Sequence, residues 1–409
     1  MKDKFKTFKK AGIVYVMEEA AKFGFSYGNS DWSNLGQGAA ETSELAGANK
    51  RIKNLHISST EQGYAPVAGR KKLRENVADM YNDLFRKGKN KKYSFDNVVI
   101  AGGGRLAISR IIASLNVKRL GYLVPDYPSY HGILDSFKDL EVKPIFLHEE
   151  ENFKLDVDLI KKEIQKNKIE VLLFSNPSNP SGNVMSKEDL KYLVNFARAE
   201  NVLLVIDEFY FNFIYGESEF ISASEYIDDI DKDPVVIISG LSKAWRYSGF
   251  RVCWTLGSKD FMEAVSSVGS FLDGGANNPL QKAAEVIVGT RQIKKETKAI
   301  RKTFVKKRDY LREEIEKLGL RVVGETQGAF YLWVDVSNLD KSLNTGDKFF
   351  TECLKEKVIV VPGNFFDLNP GEKRQKKKFG NLVRLSYGPD MKKIKKGISG
   401  IKRVIERTL

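Results

Sequence analysis

The sequence predicts an α/β fold: a large domain built on a mostly parallel sheet flanked by helices, followed by a smaller α+β domain. Three observations lead there. From about residue 70 to 255, short apolar runs alternate with amphipathic helical stretches, the pattern of repeated strand–helix–strand units. A long, charged helical region, 278–318, then interrupts that alternation. Beyond it, apolar runs and amphipathic stretches continue to residue 409 in a shorter, mixed arrangement. The expected division is an N-terminal arm with part of the small domain at 1–50, a large domain at 51–285 and a small domain at 286–409.

Taken in order, the chain opens with MKDKFKTFKK before AGIVYV, which superficially suggests a signal peptide. Glu18 and Glu19 break the apolar stretch and no small-residue cleavage site follows, so an amphipathic helix is expected instead. Candidate strands are 98–100, 120–124, 142–146, 171–174, 202–206, 235–238 and 251–256, with helices such as 70–85 and 187–200 between them. Ser186 is placed to cap the latter helix, with Asp189 three residues on. The region 278–318 is expected to break near Gly289. Strands at 330–336, 358–361 and 382–386 and helices at 347–357 and 391–407 complete the smaller unit. In such a fold ligands lie at the carboxyl ends of the strands, and that is where the distinctive segments fall.

Composition narrows the function. A net charge of +14 admits nucleic-acid binding, but the basic residues are spread over helical stretches such as 294–312 and no binding module is recognisable. No nucleic-acid partner is expected; steering of anionic substrates is the weaker use of the charge. No apolar run is long enough to span a membrane. Only Cys253 and Cys353 occur, which points to a reducing cytoplasm without a disulfide framework. His56, His131 and His148 are scattered, so no metal site is expected.

The chemistry concentrates in six segments. Lys243 follows the apolar run 235–238 in Ser-Gly-Leu-Ser-Lys-Ala-Trp-Arg. A lysine at a strand end inside a cleft loses solvation, which frees its amine as a nucleophile toward a carbonyl cofactor. In a chain with 67 Lys and Arg one lysine alone means little. Arg251 downstream can clamp a phosphate. Gly102, Gly103 and Gly104 lie between a strand and a helix, as a phosphate cradle or simply a tight turn requires. Tyr127 can stack on a planar ring or pack in the core. Asn179 sits in a turn forced by Pro177, Pro180 and Gly182. Asp207 can pair with a protonated ring nitrogen or cap a helix, and Tyr210 can donate to a ring oxygen. Arg384, inside the apolar run 382–386, needs an anion: a substrate carboxylate or a structural partner.

Together these segments resemble the class I and II aminotransferases, fold-type-I enzymes that use pyridoxal 5′-phosphate (PLP), over nearly the whole chain. The resemblance implies that Lys243 forms the Schiff base and shuttles the proton, and that Asp207 pairs with the pyridine nitrogen. It implies that Asn179 and Tyr210 bind the ring hydroxyl oxygen and that Tyr127 stacks on the ring. Gly104, Arg105, Ser242 and Arg251 would hold the phosphate, Arg384 the substrate α-carboxylate, and Gly38 would offer its backbone to the substrate. Tyr64, in Gln62-Gly63-Tyr64-Ala65-Pro66, looks like the tyrosine that reaches the neighbouring subunit's phosphate, implying a homodimer. The implied activity is transfer of an amino group between an L-amino acid and a 2-oxo acid by a ping-pong mechanism. A carbon–sulfur β-lyase would use the same residues, and a PLP-binding regulator is a third reading.

The chain departs from the family pattern in three places. Gly240 stands where many relatives carry a phosphate-binding Ser, with Ser239 one step earlier. Arg105 replaces a small hydroxyl residue. Phe365-Phe366-Asp367 and the basic run 372–378 follow Val361-Pro362-Gly363, a change near the entrance. A reader of a second carboxylate is open between Arg246 and Arg105, while Tyr15, Trp32 and Tyr130 can line an aromatic pocket or fill the core.

Overall fold

A computed structural model describes residues 12–407. Its centre is a seven-stranded sheet. Across the sheet the strands run Val98–Ala101, Cys253–Leu256, Val235–Gly240, Leu203–Asp207, Val171–Ser175, Arg119–Val124 and Glu141–Phe146. Only Cys253–Leu256 opposes its two neighbours; the other four pairings are parallel. The strands are buried apolar runs because helices cover both faces. The expected parallel α/β sheet is therefore present, with one reversed strand that the apolar pattern alone could not orient.

The reversal matters for the site. Five strand ends, at 101, 124, 175, 207 and 240, open on one edge of the sheet, and the start of the reversed strand, just after Arg251, falls on that same edge. Ser186 caps the helix Lys187–Glu200, accepting from the Asp189 amide at 3.0 Å. The long helical region breaks at Gly289 into Asn278–Ile287 and Thr290–Lys317.

The smaller sheet has four antiparallel strands in the order Val361–Pro362, Leu382–Ser386, Tyr331–Asp335 and Arg321–Val323. The run 358–361, expected as one strand, is split. Val358–Ile359 pairs in parallel with Ser33–Asn34, and Val361–Pro362 pairs with Leu382–Ser386. Two partners on different sheets divide a run that apolarity reads as one. The N-terminal stretch thus pairs with a C-terminal strand in a separate two-stranded sheet. The helix Gly12–Lys22 precedes it; the part of the expected N-terminal helix before residue 12 lies outside the described residues. No helix among the described residues is long and apolar enough to cross a membrane.

Candidate active site

The five strand ends and the N-terminal stretch enclose a cavity of about 610 Å³. Lys243, Asp207, Tyr210, Asn179, Tyr127, Gly104, Arg105, Ser242, Arg251, Gly38 and Arg384 all line it. Tyr64 does not: it is fully exposed, outside the cavity.

Lys243 lies on the short helix Leu241–Ala244, directly after the strand Val235–Gly240. Its Nζ donates to the Gly38 carbonyl. Burial, and then the nearby charges of Arg384 and Arg251, push the ammonium down to about 7, while Asp207 acts against them. The amine is therefore largely neutral just above neutrality, as a nucleophile requires.

Asp207 ends the adjacent strand, and burial pushes its carboxyl up to about 6. Tyr130 donates to its Oδ2 at 2.8 Å, and the Phe209 amide donates to Oδ1 at 3.3 Å. Tyr130 is thus neither a pocket aromatic nor simple filler; it orients the carboxylate.

The turn after Val171–Ser175 is fixed from below. Asp126 accepts from the Ser175 amide at 3.0 Å and from the Ser175 hydroxyl at 2.5 Å, and that hydroxyl accepts from the Asn179 amide at 3.2 Å. The Asn179 side chain uses its oxygen to accept from Arg384 Nη1 at 2.8 Å. Its amide NH₂ is left as the donor the sequence assigned to it.

Arg384 is buried and has no carboxylate partner among the described residues. Nη2 donates to the Gly36 carbonyl at 2.7 Å, while Nε is buried without a partner. Its guanidinium lies 4.1 Å from the Tyr331 ring centroid and 5.0 Å from that of Phe366. The structural ion pair that would have explained this arginine is absent among the described residues, and a carboxylate remains the natural occupant.

At the other end, Arg251 lies against the glycine run: a Cβ on Gly103 would overlap its guanidinium, and Gly103 has a φ of 108°. Arg251 Nη1 donates to the Ser248 carbonyl at 3.0 Å and lies 3.4 Å from the Ser242 hydroxyl. The helix Gly104–Ala113 starts here, and its first N–H groups face the same end. Arg105 Nε donates to the Tyr127 hydroxyl at 3.3 Å. Three arginines, Arg105, Arg251 and Arg384, line the cavity beside Lys243, against the carboxylates Glu18 and Asp207. That excess, a glycine cradle and an unpaired buried guanidinium fit a ligand set bearing a phosphate and a carboxylate, and so fit PLP with an amino acid.

Several expectations need correction. Arg246 is no reader of a second carboxylate: it is fully buried, pairs with Glu296 at 2.8 Å and donates to the Glu41 and Ser43 carbonyls. Ser239 does not face the cavity; its hydroxyl donates to the Glu208 carbonyl at 3.1 Å. Gly240 is glycine because a Cβ there would lie 2.6 Å from Cys253 Cα on the reversed strand. Tyr15 packs on Phe365 and Trp32 on Phe25, each at 5.5 Å between ring centroids. One residue was missed: Tyr331, whose hydroxyl lies 2.6 Å from that of Tyr210. Its position in the apolar run 330–336 gave only a core signal.

The model of the family Aminotransferase class I and II matches residues 30–401. The chain belongs to that family. It is an enzyme, a PLP-dependent aminotransferase acting on amino acids and 2-oxo acids. Among relatives, a probable aspartate/prephenate aminotransferase of Aquifex aeolicus is 26% identical over 87% of this chain and 87% of its own length. A probable aspartate aminotransferase of Methanocaldococcus jannaschii is 26% identical over 93% and 96%. The solved aspartate aminotransferase of Thermus thermophilus with maleate superposes with a TM-score of 0.79, covering 97% of each chain at 23% identity; it shows the fold of this aminotransferase.

Proposed function

We propose that Lys243 is the residue through which this aminotransferase holds PLP and moves the substrate α-proton. The observation that carries the reading is the position of its Nζ, in one cavity with Asp207 and the unpaired Arg384, with the amine pushed down to about 7. When bound, PLP supplies a sink for the electrons released as the substrate Cα–H bond breaks. Asp207, ionised above about pH 6, keeps a proton on the ring nitrogen. Asn179 and Tyr210 donate to the ring oxygen, and Tyr127 packs on the ring. Gly104, Arg105, Ser242 and Arg251 hold the phosphate. Arg384 clamps the α-carboxylate beside the Gly38 backbone, and Lys243 takes the α-proton and returns it elsewhere. Both substrates use this one site in turn, so ping-pong kinetics are expected. Aspartate, named in several relatives, is the reference donor.

The reading includes a homodimer in the cytoplasm. Phe271 and Val286 are 77% and 72% exposed, on segments joined to the Tyr64 loop by the bond from Asn278 Nδ2 to the Gly63 carbonyl at 2.9 Å. Large apolar side chains left bare favour a second copy, and Tyr64 would then reach its site. Both cysteines are free and buried, which suits a reducing compartment.

Substitution Lys243→Ala should abolish turnover while the protein still folds, as circular dichroism would show. Wild-type turnover by that variant would overturn the assignment.

A further inference from the structure

We propose that the substrate of this enzyme carries a large apolar side chain, received by a wall made of the helix Gly12–Lys22 and the pair Phe365–Phe366. The inference rests on the reading of Arg384 as the α-carboxylate clamp and starts from what surrounds that arginine. Val361 is its direct cross-strand partner in the antiparallel ladder, so the two side chains share a face. Phe366 lies 5.0 Å from its guanidinium. Ile13, Met17 and Ala21, spaced four residues apart, put one helix face on the same cavity.

The helix is locked in that pose. Gly12, Val16 and Ala20 form the adjacent buried stripe. A Cβ on Gly12 would overlap the Phe365 ring, and Tyr15 packs on that ring at 5.5 Å. The Phe365–Phe366 segment therefore acts twice: Phe365 seats the helix and Phe366 faces the ligand. This is the departure near the entrance that the sequence shows.

A dicarboxylate substrate needs a second cation. Among the described residues, the cavity's remaining arginines belong to its other end. Arg251 is held at Ser248 and Ser242, and Arg105 is held at Tyr127, both beside the glycine run. The charge that the N-terminal helix brings to the cavity is Glu18, of the wrong sign for a second carboxylate. An aromatic or branched aliphatic side chain instead gains by leaving water against Ile13, Met17, Val361 and Phe366.

Two measurements on the PLP-loaded enzyme test this. The first follows the absorption change of the bound cofactor on adding phenylalanine, leucine, aspartate or glutamate. The second is calorimetric titration with 3-phenylpropanoate and with succinate, which carry no amine to react. Phenylalanine or leucine should exceed aspartate by about tenfold or more in kcat/KM, and 3-phenylpropanoate should bind more tightly than succinate by a similar factor. Met17→Arg, at a half-buried cavity position with similar helix propensity, should move the ratio toward aspartate by about tenfold. Aspartate reacting best, with succinate the tighter ligand, would overturn the apolar wall and leave the transamination reading intact. An unchanged ratio in Met17→Arg would overturn the role given to the helix. If no amino acid reacts while 3-phenylpropanoate still binds the tighter, the wall stands and the transamination reading falls.

Discussion

Burial brings the titrations of Lys243 and Asp207 close together, in opposite senses. Asp207 gains its charge above about 6 and Lys243 loses its own above about 7, both through burial. With Lys243 as the proposed anchor, uptake of PLP by cofactor-free protein needs the neutral amine, so its rate should climb as pH rises through about 7 and level off above; stopped-flow absorbance would measure it. A rate independent of pH from 6 to 8 would contradict the depressed lysine. Lys243, Asp207 and Arg384 were legible because each interrupts or ends an apolar run where a charge is costly without a purpose. Tyr331 was not, because its meaning lies in a hydroxyl 121 residues away in sequence. Tyr130 was read only as a pocket or core aromatic, because its bond to Asp207 depends on the order in which the sheet assembles its strands.

At the scale of elements, alternation of apolar runs with helices sufficed for the central sheet, since each buried parallel strand advertises itself. The orientation of Cys253–Leu256 did not show, because strand polarity leaves no trace in composition. That reversed strand explains the missing serine. Restoring it by Gly240→Ser should destabilise the enzyme by about 1–3 kcal/mol, because the new side chain must displace the Cys253 backbone. Thermal unfolding would read the loss; an unchanged Tm would mean that the two strands separate freely. The split of 358–361 has a similar origin, as its two halves answer to different neighbours, one contributed by residues more than three hundred positions earlier.

For the molecule as a whole, the net charge of +14 is spread over helices, while Phe271 and Val286 stand bare on the two helices that flank the segment packed against the Tyr64 loop. A second copy covering them predicts that Phe271→Asp with Val286→Asp yields a monomer in sedimentation while circular dichroism stays unchanged. Cofactor affinity should fall with it, because Tyr64 would no longer meet a neighbouring site. A dimer that survives both substitutions would place the interface elsewhere. Surface exposure of this kind is invisible in a sequence, where Phe271 and Val286 read as ordinary helix residues.

Arg384 is gripped by Gly36 from the N-terminal stretch and by Asn179 from the central sheet, and it stands itself on one of the last strands of the chain. The clamp proposed for the α-carboxylate therefore has no precursor during synthesis. A ribosome must release nearly the entire polypeptide before the guanidinium meets either partner. On that proposal, chains that end before this strand should be inert toward amino acids, whatever part of the central sheet they have already folded.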